Sequence, residues 1–238
     1  MHRMSEWTPN MISFMEDASD YGNYFSELAS CLSGLLDASW TVCDAGCGIG
    51  QLSIALSPLV KKVVAIDRSV AATDYLKNRI SSVGIGNVEV LAENFDSLPQ
   101  ERRFDAMIFN YFGRMEQILD IAAKHCLRRA IIIRKVYRNH RFSFGNYPIE
   151  QAVHPLDGVE HEEREFSCEF GQPFRSIDDA VGFFELYSRD EDKSVINEKN
   201  VRSRLVETGK PDFPYYLPHL KQSNIYVIDR GSYGKPLQ

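Results

Sequence analysis

The chain has 238 residues, 44% of them apolar, enough to bury the core of one domain with additions or of a domain and a small cap. Its 33 acidic and 27 basic side chains leave a net charge of −6, which argues against a generic nucleic-acid binder, because phosphate contacts need a basic face. No apolar run approaches the roughly 20 residues of a membrane span, the first residues carry no apolar signal core, and five dispersed cysteines suit no disulfide framework. A reduced, cytoplasmic protein is therefore expected.

In chain order, Met11, Phe14 and Met15 are helically spaced, and so are Tyr21, Tyr24, Phe25, Leu28, Leu32, Leu35 and Leu36. This spacing predicts a short helix and then a longer one near 20–37. Residues 41–45 form a short apolar run that reads as a buried strand entering a tight turn. Gly46, Gly48 and Gly50 then alternate, and Leu52, Ile54, Ala55, Leu56 and Leu59 follow at helical spacing. A strand, a glycine loop and a helix are predicted. Such a loop brings bare backbone close to a ligand and points the N–H groups of a helix start at it. The spacing is G-x-G-x-G, one residue shorter than the dinucleotide fingerprint, and Asp44 stands just before it. A carboxylate would repel a phosphate and attract an ammonium group. The pattern thus suits a nucleoside carrying a positively charged amino acid, which is S-adenosyl-L-methionine.

The segment from Asp44 through Gly46, Gly48 and Gly50 resembles the first motif, D/E-x-G-x-G-x-G, of the class I S-adenosylmethionine-dependent methyltransferases. The resemblance implies a three-layer αβα Rossmann-like sheet of about seven strands, mostly parallel with an antiparallel last strand. It implies cofactor contacts from Asp44, Gly46, Cys47, Gly48 and Gly50. It also implies an N-terminal helical lid over residues 1–38, with Tyr21 and Tyr24 as the aromatic candidates above the cofactor, and a cofactor-binding core over 39–136. Trp7 receives no definite role. Cys43 and Cys47 lack a second ligand pair and read as packing residues, not as a metal site.

A second buried strand, 63–67, ends in Asp67, placed to meet ribose hydroxyls at a strand tip. The resemblance lays Arg68 along the adenine. Ser69 can cap the next helix, and residues 87–91 form a third strand. Beyond it, relatives place an acidic or amide residue on the adenine amine. Asn94 takes that place where Asp is more usual, flanked by Glu93 and Phe95. A fourth strand, 103–110, ends in Asn110, Tyr111, Phe112 and Gly113, at the reaction edge of such sheets. Nucleobase N-methyltransferases carry Asn/Asp-Pro-Pro-Tyr/Phe here. This chain has the Asn but no prolines, which weakens that reading. A helix over 115–126 and a β-branched strand over 130–136 complete five alternations.

Residues 137–238 are expected to complete the sheet, with substrate-side insertions. Residues 137–145 are basic and aromatic, which suits a loop or a small-substrate anion site in an acidic chain. His161-Glu-Glu-Arg-Glu165 is not H-E-x-x-H, so no metal is expected. Ser176 and Asp179 suit a capping box on a helix over 176–187. Residues 160–170 and 223–230 suit the sixth and seventh strands. The expected activity is methyl transfer to a small-molecule acceptor. The alternatives are a methyltransferase acting on protein or RNA, and a non-catalytic cofactor-binding partner subunit. Tyr111, His140, His154 and His161 are the candidate acceptor-side groups, and a homodimer stays open.

Overall fold

The structure is a computed structural model that describes residues 6–136, 139–148, 156 and 158–232. Its helices are α1 (Pro9–Tyr21), α2 (Tyr24–Ser33), α3 (Gln51–Leu56), α4 (Val70–Ser82), α5 (Met115–His125), α6 (Ile177–Tyr187) and α7 (Glu198–Arg202). Its strands are β1 (Thr41–Ala45), β2 (Lys62–Asp67), β3 (Val88–Ala92), β4 (Phe104–Asn110), β5 (Cys126–Lys135), β6 (Glu162–Glu169), β7 (Gln172–Phe174), β8 (Val206–Glu207), β9 (Tyr215–Leu217) and β10 (Leu220–Asp229). Seven strands form one sheet in the order β3-β2-β1-β4-β5-β10-β6. β1 to β5 pair in parallel, and β10 runs antiparallel to both β5 and β6. This is the Rossmann-like sheet that the sequence implied, with the last strand inserted between the fifth and sixth. The strand order reverses between β1 and β4, where ligands of open α/β sheets bind.

Alternation along the strands builds the two cores. Val42, Val63, Ala65, Ala106, Ile108, Ile131, Ile133 and Ile225 face α2, α3 and α4, meeting Leu28, Leu32, Leu52, Leu56 and Leu76. Cys43, Val64, Ile66, Met107, Phe109, Ala130 and Ile132 face the other way, onto Ile118, Ile121 and Ala122 of α5. No described helix is long and apolar enough to cross a membrane.

The N-terminal segment divides differently from the expectation. Thr8 caps α1, its side chain accepting from Met11 N at 3.3 Å, and Pro9 opens the helix. Gly22 is extended and interrupts the run, so α1 ends at Tyr21 instead of merging into a helix from 20. α2 packs into the main core, where Tyr24, Leu28, Ala29 and Leu32 are buried. α1 lies between that core and a second unit. Glu16 and Asp20 pair with Arg79 of α4, at 3.2 and 2.6 Å, and Asp17 pairs with Arg175.

The second unit is a small cap between β6 and β10. Its sheet has the order β7-β9-β8, antiparallel throughout. Its core gathers Phe174, Ala180, Phe183, Phe184, Ile196, Val201 and Leu217, joined by Phe14 of α1. Ser176 caps α6 by accepting from Asp179 N at 3.0 Å, while the Asp179 carboxylate returns to Arg175 N, one residue before the cap.

Candidate active site at the carboxyl edge of the sheet

The site begins at the tip of β1. Gly46, Gly48 and Gly50 all have left-handed backbones, with φ of 72°, 54° and 79°. The N–H groups of Gly46 and Cys47 donate to Ile66 O, that of Gly48 to Asp67 Oδ2 at 2.9 Å, and that of Gly50 to Cys47 O. Four of the loop's donors are therefore committed within the protein. The loop itself therefore offers close approach of its backbone more than donors of its own. Asp67, half-buried at the tip of β2, also accepts from Ser69 N at 2.8 Å, and its backbone carbonyl accepts from Glu93 N at 3.0 Å. One residue thus joins the glycine loop, the start of α4 and the end of β3. Each carboxylate oxygen retains a lone pair for a further donor.

Asp44 is 1% exposed, and Ser53 Oγ of α3 donates to its Oδ2 at 2.6 Å. Burial pushes its carboxyl up to about 6; the Ser53 hydrogen bond opposes the shift and the Asp67 charge adds to it. Asn110 ends β4 and projects from the same sheet face as Asp44, since Asp44 is level with Ile108, two residues earlier. Its Oδ1 is buried without a hydrogen-bond partner, and so is Nε2 of Gln51, the first residue of α3. One acceptor and one donor are thus left unmet beside a buried carboxylate. Such groups are costly unless a ligand completes them.

Aromatic rings enclose the loop. A Cβ on Gly46 would collide with the Phe112 ring, and one on Gly48 would lie 2.7 Å from Trp7 Cζ2. Phe95 is buried and meets Phe112 edge-on, with ring centroids 5.7 Å apart. Glu93 and Asn94 are exposed, Asn94 Nδ2 donating to Asp96 Oδ2 at 3.3 Å, and Arg68 is exposed. Cys47 is half-buried, and burial raises its thiol well above the ordinary range, so it is no nucleophile.

The remaining sequence candidates scatter. Tyr21 stacks on Tyr216 at 5.0 Å and meets Phe213 edge-on at 5.8 Å, within the seam between α1 and the cap. Tyr24 is 1% exposed, packed among Phe25, Phe166 and Phe170. Tyr111 follows Asn110 with φ 56°, the single positive value among described non-glycine residues. Its hydroxyl meets Ser223 Oγ at 2.5 Å and Tyr24 Oη at 3.2 Å. His140 Nδ1 lies 2.9 Å from Ser143 Oγ. Burial and the charges of Arg189 and Lys135 push it down to about 4, so it is neutral at pH 7. His161 lies at the start of β6, away from the strand tips, with Nδ1 2.8 Å from Val159 O. His154 lies outside the described residues.

Sequence reasoning gave no part to Ser53 and Gln51. Ser53 and Gln51 lie on α3, and their polarity inside an apolar periodic segment was the available signal.

A family model described as a methyltransferase domain matches residues 36–165, more than half of the chain. A probable cobalt-precorrin-6B C(15)-methyltransferase (decarboxylating) of Methanococcus maripaludis is 29% identical over 104 residues, 44% of this chain. The match spans 58% of that relative's length. Among solved structures, the YcgJ protein of Bacillus subtilis superposes with a TM-score of 0.57 at 13% identity, over 88% of this chain and 99% of that one. A precorrin 8W decarboxylase from Methanobacterium thermoautotrophicum superposes with a TM-score of 0.51 at 17% identity, over 85% and 88%. At these identities the structural matches speak for the fold, and the family model speaks for descent. The chain belongs to the methyltransferase-domain family, on the class I Rossmann-like sheet.

Proposed function

We propose that the protein transfers a methyl group from S-adenosyl-L-methionine to a small-molecule acceptor. The observation that carries this reading is the buried Asp44 carboxylate behind a left-handed glycine loop, with Gln51 Nε2 and Asn110 Oδ1 unmet beside it. These groups fit a zwitterionic nucleoside. Asp44 answers its ammonium, and Gln51 Nε2 can donate to its carboxylate. Asp67 can accept from its ribose hydroxyls with the lone pairs that the backbone leaves open. Phe95 and Phe112 provide an apolar wall for the base. The pattern does not suit a dinucleotide, whose pyrophosphate would meet a carboxylate and a loop with few donors to give.

When bound, the cofactor supplies a sulfonium-activated methyl group. The chain's own part is then alignment of the acceptor beyond the tips of β4 and β5. The curated relative is named for methylation of cobalt-precorrin-6B, which agrees with a small-molecule acceptor. The test is calorimetry with S-adenosylhomocysteine, S-adenosylmethionine and NAD, followed by incubation with methyl-labelled cofactor and small-molecule, protein and RNA pools. Binding of the first two and label in the small-molecule pool are expected. Tight NAD binding, or label confined to protein or RNA, would overturn the reading.

A further inference from the structure

We propose that Arg134 is a positioning residue for the cofactor, holding the turn after β4 so that the Phe112 ring stays seated on the glycine loop. The inference deepens the methyltransferase reading and rests on it. Its first support is the shape of that turn. Tyr111 and Gly113 both take left-handed backbones, with φ of 56° and 49°. Tyr111 carries a side chain, so this conformation costs energy and persists only where the surroundings impose it. The first half of the turn is imposed from two sides. Tyr111 N donates to Ile133 O of β5 at 3.1 Å, and the Tyr111 hydroxyl meets Ser223 Oγ and Tyr24 Oη.

The second support is what holds the other half. Arg134 follows Ile133 on β5 and leaves the sheet on the opposite face, with Phe109 and Ile132. Its Nη1 donates to Gly113 O at 2.8 Å and to Phe112 O at 3.2 Å. Among the described residues, these two carbonyls are the groups that its guanidinium hydrogen-bonds. Burial lowers its pKa, and the Glu116 charge opposes that shift. A half-buried guanidinium has given up part of its water, and here two backbone carbonyls answer it where a carboxylate usually would. Charged donors make stronger bonds than neutral ones, and one nitrogen with two N–H groups fixes both carbonyls together.

The third support is where the ring arrives. Phe112 is half-buried and lies against Gly46, where an added Cβ would collide with it. It meets Phe95 edge-on and Phe109 at a tilt, with ring centroids 5.7 Å apart in both pairs. One ring therefore touches the loop after β1, the turn after β3 and β4 itself, where the strand order reverses. Arg134 grips the two peptides that follow the Phe112 Cα. A shift of those carbonyls would tilt the ring off Gly46 and open the apolar wall that Phe95 and Phe112 offer the base. Arg134 thus acts from behind the wall, as a support that locks the side chain in front of it.

The test is a double-mutant cycle read by titration calorimetry with S-adenosylhomocysteine and with 5′-methylthioadenosine, which shares the adenosine and lacks the amino acid. Arg134→Met should weaken both ligands by the same factor, about 10-fold, in a protein whose melt without ligand shows it folded. Phe112→Leu should weaken both ligands as well. In the double variant Arg134→Met should add less than about 2-fold, because the residue acts through that ring. Arg134→Gln, polar and shorter, gives the same comparison if the methionine variant does not fold. Each of three results would overturn the proposal. One is a lowered melt with both affinities within about 2-fold of the parent, the mark of a purely structural residue. Another is a pair of losses that multiply in the double variant. The third is a loss that spares 5′-methylthioadenosine, which would place the effect at the amino acid and away from the Phe112 wall. A parent protein that binds neither ligand would instead overturn the methyltransferase reading.

Discussion

Asp44 and Asp67 are both acids at strand tips, and they work differently. Asp44 is buried, and its native pKa of about 6 exceeds the ordinary 3.8. The native state thus holds an extra proton between those values. Its ionisation cost is fully present above about 6 and disappears below about 4. Two units correspond to roughly 3 kcal/mol. Asp44→Asn should therefore raise the neutral-pH melting temperature, with the gain shrinking as pH falls from 7.5 to 4.5. The same variant should weaken S-adenosylhomocysteine binding about 10-fold or more, through loss of a charged partner. Equal melts at pH 7.5 would show that burial does not strain this group. Asp67 instead holds the fold of the loop. From sequence it read as an acceptor for ribose hydroxyls. With Gly48 N and Ser69 N both donating to it, Asp67→Ala should cost stability as well, about 1–3 kcal/mol. Asp67→Asn should not be mild, because one anchor oxygen becomes a donor facing a donor. Thermal melts without ligand and calorimetry with it separate the two losses.

At the scale of elements, α1 connects three parts of the molecule. It reaches α4 through Glu16 and Asp20, the cap through Asp17, and the glycine loop through Trp7, just ahead of its Thr8 cap. The Arg79 pairs are partly exposed, and each is worth at most about 1 kcal/mol. The contact of Trp7 with Gly48 is therefore the more telling one. Binding at the loop must change the surroundings of that indole. S-adenosylhomocysteine should alter the intrinsic fluorescence. Trp7→Phe should abolish the response, whereas Trp40→Phe, at a ring that meets Arg128 far from the loop, should keep it. A response that survives Trp7→Phe and vanishes with Trp40→Phe would remove Trp7 from the site. Removal of residues 1–37 would strip Leu28 and Leu32 from the main core.

Across the whole molecule, what was legible in the sequence is what local periodicity encodes. The strand, glycine loop and strand around Asp44 and Asp67 are contiguous, and five alternations of period 2 and 3.6 lead to the sheet directly. The cap was not legible. Its strands β7, β8 and β9 are two or three residues long, too short for alternation to register. Lys221 reads as part of a solvated Lys-Gln-Ser-Asn stretch, because the rings around its ammonium come from Tyr24, Tyr111 and Phe170, remote in the chain. Phe14 shows the same non-locality. It sits in the first helix, yet it meets Phe174 edge-on at 6.3 Å and Phe183 at 5.1 Å, inside the cap core. At 8% exposure, its truncation to Ala should cost about 3–5 kcal/mol. The cavity would open among cap side chains only, since none of the main-sheet strands contributes to that cluster. Hydrogen exchange on Phe14→Ala should therefore show lost protection in α6, β7 and β9, with β1, β4 and β5 still protected. Equal loss of protection across both units would show instead that cap and sheet unfold as one, with α1 coupling them completely.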